Sequence, residues 1–169
     1  VMTCSPDYVV MGMSAETFWD GAEGADVLHS RMEKRAGVGV ALGSHAVLAA
    51  LRAYGSDIRR ISVITPYMPV GDSMVRKFFT DNGFEIAALE GLKCASPMLI
   101  AHETPARLRQ AIRAVDAPDV QAVVQVGTNL ACAAVATAAE RWLDKPVIAI
   151  NTATYWYALR QNGIQDRLD

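Results

Sequence analysis

The sequence predicts an α/β fold in which helices flank parallel sheets, and two observations carry this prediction. Apolar runs rich in Val and Ile recur along the 169 residues, and each leads through a polar or glycine-rich turn into a helical pattern. Such alternation is typical of parallel sheets with helices on their faces. The runs are also almost continuously apolar, which a parallel strand requires when both of its faces are buried.

Five apolar runs are predicted to form strands. In chain order they are YVVMG (8–12), the segment that contains Val38, Val40 and Leu42, ISVIT (61–65), AVVQV (122–126) and PVIAI (146–150). The second run includes the glycines of GVGVALG (37–43), which superficially suggest a dinucleotide loop. Because such a loop follows a strand and does not form one, the context argues against nucleotide binding.

The helices between these strands have recognisable ends. The segment SHAVLAALRAYG (44–55) is predicted to be a helix that stops at Gly55. Thr104 followed by Pro105 predicts another helix start. The apolar residues of this helix recur at helical spacing and are Leu108, Ile112 and Val115.

A further helix is predicted between the third and fourth runs. Asp72 or Ser73 is expected to cap it, since Asp and Ser are favoured at helix N-caps. Gly83 is expected to follow its end. Its apolar stripe consists of Met74, Val75, Phe78 and Phe79.

Composition argues against several classes of function. The net charge is −2 and no dense Lys/Arg run occurs, which disfavours a nucleic-acid-binding face. No apolar stretch reaches the roughly 20 residues that a membrane helix needs. Cys4, Cys94 and Cys132 lack the spacing of metal ligands or of a disulfide framework. We therefore expect no metal, no membrane contact and a cytoplasmic location.

The carboxyl ends of the predicted strands carry many hydroxyl and amide groups but few charges. In open α/β sheets, ligands lie beyond these ends, where helix N-termini add positive potential. The sequence thus predicts a small anion, a carboxylate, held by neutral donors. The alternative is that the residues only cap helices and form turns. The residues at these strand ends are Met13–Ser14, Thr65–Tyr67, Gly127–Asn129 and Asn151–Thr152.

Two side chains near this edge are candidates for proton transfer or nucleophilic chemistry. His45 follows Ser44 at a predicted strand-to-helix turn, so its imidazole is a candidate acid or base; the alternative is a structural histidine. Cys132 lies in a first helical turn, where the helix N-terminus lowers the pKa of a thiol. However, Cys132 shares one helical face with Val135 and Ala139, which favours a packing role.

Five sequence blocks carry a resemblance to a known family. They are VVMGMSAETFWDG (9–21), SHAVLAALRAYG (44–55), ISVITPYMPVGD (61–72), VVQVGTNL (123–130) and RWLDKPVIAINTATYWYALRQNG (141–163). In this order and spacing they resemble the maleate cis-trans isomerases and arylmalonate decarboxylases of the aspartate/glutamate racemase superfamily. The resemblance covers essentially the whole chain.

The resemblance implies two similar racemase-type α/β lobes that face each other across a cleft. Residues 1–55 are expected to be the remainder of the N-terminal lobe, completed by residues 151–169, and residues 56–150 the second lobe. The family's leading strand–helix portion would precede Val1, so the N-terminal part of the first lobe is expected to be missing from this chain. No cofactor is expected, and homo-oligomerisation is left open.

The family's chemistry uses one or two cysteines, one per lobe. In the isomerases a thiolate is thought to add to the substrate double bond, and in the decarboxylases a single cysteine protonates a planar intermediate. The resemblance matches Met13 and Gly127 to these two positions, so both thiols are expected to be substituted. It also matches five residues to the loops that hold the substrate carboxylate, namely Ser14, Ser44, Tyr67, Thr128 and Asn129.

The resemblance implies an isomerase or decarboxylase that acts on a small carboxylate or dicarboxylate in the interlobe cleft, by a route lacking the usual cysteine pair. Cys132 and His45 are candidates for the missing acid or base. The alternative is a non-catalytic small-carboxylate-binding protein derived from this family. By the same comparison, Gly127→Cys is expected to bring the site closer to its relatives' chemistry.

Overall fold

The computed structural model describes residues 1–167, in which two parallel sheets occur. A two-stranded sheet pairs β1 (Tyr8–Val10) with β2 (Gly39–Ala41). A four-stranded sheet has the order β4-β3-β5-β6, and all of its strand pairs are parallel. Its strands are β3 (Arg60–Thr65), β4 (Glu85–Gly91), β5 (Ala122–Gln125) and β6 (Val147–Ala149).

Helices cover the faces of both sheets, which confirms the predicted α/β class. None of the helices within residues 1–167 combines the length and apolar character needed to cross a lipid bilayer. Short 3-10 helices span Met2–Cys4 and Ala15–Phe18. The α-helices are α1 (Gly21–Ala36), α2 (Gly43–Tyr54), α3 (Pro69–Asp81), α4 (Pro97–Ile100), α5 (Pro105–Val115), α6 (Ala133–Leu143) and α7 (Ile150–Gln161).

The five apolar runs all contain strands, and the central two strands explain why the runs are so continuous. In β3 and β5 nearly every residue is buried, because helices cover both faces of the sheet. The apolar runs did not identify β4. This strand lies at the edge of the sheet and most of its residues are only half-buried, so its sequence EIAALEG lacks a continuous apolar pattern.

Three helix boundaries were predicted correctly and one was wrong. Gly83 follows the end of α3, whose last residue is Asp81. α2 ends at Tyr54 before Gly55, and Thr104 caps α5 by accepting the Arg107 N–H at 3.2 Å. α3, in contrast, begins a full turn earlier than predicted. Pro69 occupies its first turn, where the fixed φ of proline suits a helix, so neither Asp72 nor Ser73 is the cap. The buried residues of its apolar stripe are Val75, Phe78 and Phe79.

The four-stranded sheet separates two apolar clusters. Successive residues of β5 alternate between them, since Val123 packs with α5 and α6 whereas Val124 packs with α2 and α3. Phe18, from the segment after β1, joins the second of these clusters. Its ring meets that of Phe78 edge to face at 5.0 Å between centroids, so the segment after β1 is fixed against α3.

α2 and α7 pack against each other, and α7 also contacts β1, β2 and β6. The last helix therefore touches strands of both sheets. The division into a first lobe of residues 1–55 with 151–169 and a second lobe of residues 56–150 stays a prediction. Residues 168 and 169 of that division lie outside the described residues.

Candidate functional site

The loops after β1, β3 and β5 meet in a hydrogen-bonded cluster formed by the hydroxyls of Ser14 and Tyr67 and the backbone N–H of Thr128. We call it the hydroxyl cluster. Ser14 Oγ lies 3.0 Å from Tyr67 Oη, and the Thr128 N–H donates to Ser14 Oγ at 3.0 Å. Ser14 belongs to the loop beyond β1, whereas the other two follow strands of the larger sheet. The cluster thus bridges the two sheets at their carboxyl edges.

Within residues 1–167, one O–H hydrogen of the hydroxyl cluster has no acceptor and is free for a ligand. Ser14 and Tyr67 together have two hydroxyl hydrogens, and the bond between them uses one, whichever residue donates it. The Thr128 N–H is already engaged by Ser14. A carboxylate oxygen that reaches the cluster can therefore accept the remaining O–H.

Tyr67 is a donor and not a base at neutral pH. Burial raises the pKa of its phenol to about 12, and the carboxylates of Glu16 and Asp72 add to this rise, while the hydrogen bond with Ser14 opposes it. The phenol therefore stays protonated over the whole physiological range. A neutral O–H donor of this kind suits an anionic ligand or an anion that forms during a reaction.

The loop after β5 is held by a buried glutamine that the sequence pattern did not single out. The Gln125 side-chain amide donates to the carbonyls of Val126 at 2.6 Å and Gly127 at 2.9 Å. The Leu130 N–H donates to the Gly127 carbonyl at 3.1 Å and closes a tight turn. These bonds direct the Thr128 N–H toward Ser14. The signal in the sequence is an amide at the end of an otherwise apolar strand.

Gly127 has a conformation that a side chain would strain. Its φ is +98°, in the region that favours glycine, and a Cβ built on it would overlap the Pro66 ring. The expectation that Gly127→Cys brings the site closer to its relatives' chemistry therefore meets a steric obstacle in this structure. A cysteine here would have to shift either its own loop or Pro66.

The other residues matched to the carboxylate site have different surroundings. Asn129 is exposed and its amide donates to the Pro97 carbonyl at 3.1 Å, and Ser44 is fully buried with no hydrogen-bond partner among the described residues. Met13 is 55% exposed directly before Ser14. Asn151, from the strand end after β6, does reach the cluster, since its amide donates to the Thr128 carbonyl at 2.9 Å.

The thiols of Cys132 and Cys94 are poorly suited to nucleophilic chemistry. Cys132 is 2% exposed among apolar side chains, and burial raises the pKa of its thiol to about 11. Cys94 donates to the Glu103 carboxylate at 3.4 Å, and burial followed by this hydrogen bond raises its pKa as well. Both side chains are therefore protonated thiols near neutral pH. Because the thiolate is the nucleophile, neither Cys132 nor Cys94 is suited to be the reactive group.

His45 lies in the first turn of α2, and its side chain contacts residues of α1. Its Nε2 is 3.0 Å from Asp26 Oδ1, and its ring meets that of His29 at 4.7 Å between centroids. Burial and the neighbouring His29 lower the pKa of His45, while Asp26 and Glu33 oppose that shift. The hydrogen bonds of the hydroxyl cluster do not include His45.

Other features lie away from the cluster. A groove of about 430 Å³ between α2, α6 and α7 is lined by residues that include Tyr54, Glu140 and Trp156, but by none of the cluster. Within residues 1–167, no three His, Cys, Asp or Glu side chains are arranged to hold a metal ion.

Comparison with known proteins identifies the type of fold. A family model described as arylmalonate decarboxylase matches residues 6–169, whereas a comparison with the curated proteins found no match. Among solved structures, the chain is similar to a crystal structure of arylmalonate decarboxylase, with 22% identity, a TM-score of 0.87, and coverage of 98% of this chain and 73% of that one.

Two maleate isomerases are similar to the same extent. One is a Nocardia farcinica maleate cis-trans isomerase variant with a covalently bound succinylcysteine intermediate, with 21% identity, a TM-score of 0.90, and coverage of 97% and 69% of the two chains. The other is the maleate isomerase Iso from Pseudomonas putida S16, with 22% identity, a TM-score of 0.88, and coverage of 98% and 68%. These likenesses confirm the fold of parallel sheets flanked by helices.

We expect His45 to make the protein less stable as the solution becomes acidic. Its folded-state pKa is lowered, so below the unfolded value of about 6.5 the unfolded chain binds a proton that the folded chain resists. The free energy of unfolding should therefore fall as pH decreases from 7.5 to 5.5. In urea titrations this fall should be smaller for His45→Gln, and unchanged for His102→Gln, which alters an exposed histidine. An equal fall in His45→Gln and the parent would contradict the expectation.

We expect Gly127→Ala to destabilise the protein more than Gly83→Ala. Both glycines have positive φ, which costs about 1–2 kcal/mol for a residue with a Cβ. A Cβ at Gly83 meets no neighbouring atom, whereas one at Gly127 overlaps Pro66. Urea unfolding of both variants measures the difference. Equal losses would show that Pro66 yields without cost and that position 127 accepts a side chain.

Proposed function

The chain belongs to the arylmalonate decarboxylase family, and from that premise we propose that it acts on a small carboxylate or dicarboxylate bound at the hydroxyl cluster. The single observation that carries the proposal is the convergence of Ser14, Tyr67 and Thr128 from three strand ends. One O–H donor remains free there and points to an oxygen anion as its acceptor.

The reaction that this cluster supports best is decarboxylation. Loss of CO₂ from a malonate leaves the bonding electron pair on the neighbouring carbon, from which it is delocalised onto the remaining carboxylate as an enediolate. Fixed donors stabilise such an anion as they stabilise the oxyanions of acyl transfer. Whichever of the protonated Tyr67 phenol and the Ser14 hydroxyl keeps its hydrogen free is a donor of this kind.

Decarboxylation also depends least on a thiol. The Nocardia farcinica isomerase variant carries a succinylcysteine intermediate, which requires a nucleophilic cysteine. In this chain the resemblance matches Met13 and Gly127 to the family's cysteine positions, and neither side chain adds to a double bond or carries a proton. A decarboxylated enediolate, in contrast, can take its proton from water, and the product is then racemic.

The alternative is a protein that binds a small carboxylate without transforming it. The burial of Cys132 and the pairing of His45 with Asp26 favour this alternative, because they keep these two candidate acids away from the cluster. In either case, the three free cysteines support the expected cytoplasmic location.

Incubation with maleate and with methyl(phenyl)malonate, followed by proton NMR and by chiral chromatography of the product, distinguishes the two functions. We expect saturable binding of the malonate and release of phenylpropionate as a racemate, with no fumarate formed from maleate. Binding without product would overturn the enzyme and support the carboxylate-binding alternative. Failure of both acids to bind at millimolar concentration would overturn both.

Tyr67→Phe should weaken the binding of methyl(phenyl)malonate about tenfold or more, because a hydrogen bond to a charged group contributes about 1.5–3 kcal/mol. The matched control is Tyr155→Phe, which removes a hydroxyl from a 55% exposed tyrosine on α7. Isothermal titration calorimetry measures both affinities. If the two variants bind equally well, Tyr67 does not contact the carboxylate.

A further inference from the structure

We propose that Asp72 is a positioning residue for Tyr67, a role that rests on the proposed carboxylate site. Its carboxylate holds the Thr65 hydroxyl, and the hydroxyl in turn holds the Tyr67 backbone at the place from which the phenol reaches Ser14. The Thr65 side chain and the Tyr67 backbone thus connect Asp72 to the hydroxyl cluster.

The connection is a directed chain of hydrogen bonds. The Tyr67 N–H donates to Thr65 Oγ1 at 3.0 Å, and the Thr65 hydroxyl donates to Asp72 Oδ1. Because an ionised carboxylate only accepts, the direction is fixed: the Thr65 hydrogen points to Asp72 and leaves its oxygen lone pairs for Tyr67. Thr65 is fully buried, so water does not replace either bond.

The hydrogen-bond chain holds the N–H side of the turn at residues 65–67, which the β3–β4 pairing does not hold. On the carbonyl side, backbone bonds extend the β3–β4 pairing: the carbonyls of these residues accept N–H groups from Leu92, Lys93 and Cys94 at 2.8–3.2 Å. Pro66 has no N–H, so Tyr67 carries the first amide hydrogen after Thr65. Thr65 Oγ1, which Asp72 holds in place, accepts it.

Two glycines leave the space that this arrangement needs. A Cβ at Gly91 would overlap the Asp72 carboxylate, so only glycine lets the carboxylate lie against β4. A Cβ at Gly71 would lie 2.8 Å from Tyr67 Cβ, so the tyrosine packs directly on the α3 backbone. The Gly91 contact accommodates the Asp72 carboxylate, and the Gly71 contact accommodates the Tyr67 side chain. Neither contact is needed to cap α3, which begins at Pro69.

The charges around Asp72 come from three elements. Burial raises the pKa of its carboxyl, and Glu90 acts in the same direction, whereas the Thr65 hydrogen bond, Lys93 and Arg76 oppose the rise. A substitution at position 72 therefore changes both a charge and a hydrogen-bond acceptor. The test has to separate these two effects.

Asp72→Ala and Asp72→Asn form the matched pair. Both remove the charge, including its effect on the nearby Tyr67 and on the first turn of α3, but only asparagine keeps an oxygen that accepts from Thr65. The readout is the NMR signal of the Tyr67 ring carbon that bears the hydroxyl, in protein labelled at that carbon of tyrosine. Tyr67→Phe identifies the signal, and a pH titration gives its midpoint.

We expect Asp72→Ala to move the Tyr67 midpoint toward the value of about 10 of a solvated tyrosine, by at least about 0.5 unit more than Asp72→Asn does. Thr65→Val keeps the carboxylate charge, so its shift should match the difference between Asp72→Ala and Asp72→Asn, and Thr65→Ser should preserve the parent value. The double variant Thr65→Val, Asp72→Ala should differ little from Asp72→Ala, which has already lost both the carboxylate charge and the hold on Thr65. Equal midpoints for the alanine and asparagine variants, or additive effects in the double variant, would overturn the proposal.

The readout does not depend on a ligand. If the parent protein binds neither maleate nor methyl(phenyl)malonate, the proposed function fails, while the Tyr67 midpoints still decide the role of Asp72. If the parent binds methyl(phenyl)malonate, Asp72→Ala should weaken the affinity about tenfold. Asp72→Asn should weaken it less than about threefold. Should Asp72→Ala fail to fold, the Thr65→Val and Thr65→Ser pair tests the same chain of bonds.

Discussion

The Ser14 hydroxyl joins parts of the molecule that are far apart in the chain. It contacts Tyr67, 53 residues away, and accepts from Thr128, 114 residues away. A hydrogen bond tolerates only a few tenths of an ångström around its preferred length. A single small hydroxyl can make both contacts only if the loops after β1, β3 and β5 are all fixed. The candidate site therefore depends on how firmly the backbone is held at three strand ends.

Polar side chains at the ends of buried strands provide that hold. Thr65 ends β3 and Gln125 ends β5, and both are almost completely buried. A buried polar group is costly unless it is hydrogen-bonded, and each of these bonds the loop that directly follows it. Phe18 fixes the loop after β1, because its ring packs against that of Phe78 on α3. Strand ends in this fold thus carry two kinds of residue, those that hold the loop and those that face the ligand.

The sequence predicted what depends on local pattern. Continuous apolar runs identified the strands that are buried on both faces, and the rule that ligands lie at carboxyl ends of parallel strands brought Ser14, Tyr67 and Thr128 together. β4 escaped because an edge strand needs no continuous apolar pattern. The local pattern predicts a helix cap at Asp72 or Ser73 because Asp and Ser are common at caps. The bond of Asp72 to Thr65 and its contact with β4 arise only when the sheet has formed.

Binding an anion and transferring a proton place different demands on the site. Binding needs donors at fixed positions, and the hydrogen bonds that hold the backbone at residues 65–67 and 125–127 meet this demand, while the hydroxyl cluster itself carries no charged side chain. Proton transfer is most efficient when the donor's pKa lies near the working pH. The Tyr67 phenol, at about 12, is far from neutrality and suits the first demand better than the second. The second would be met by solvent, because Met13, beside Ser14, is exposed and no buried acid covers that face of the cluster among the described residues. A site of this kind would stabilise a planar anion while leaving its final protonation to water, so the structure would control the rate but not the stereochemical outcome.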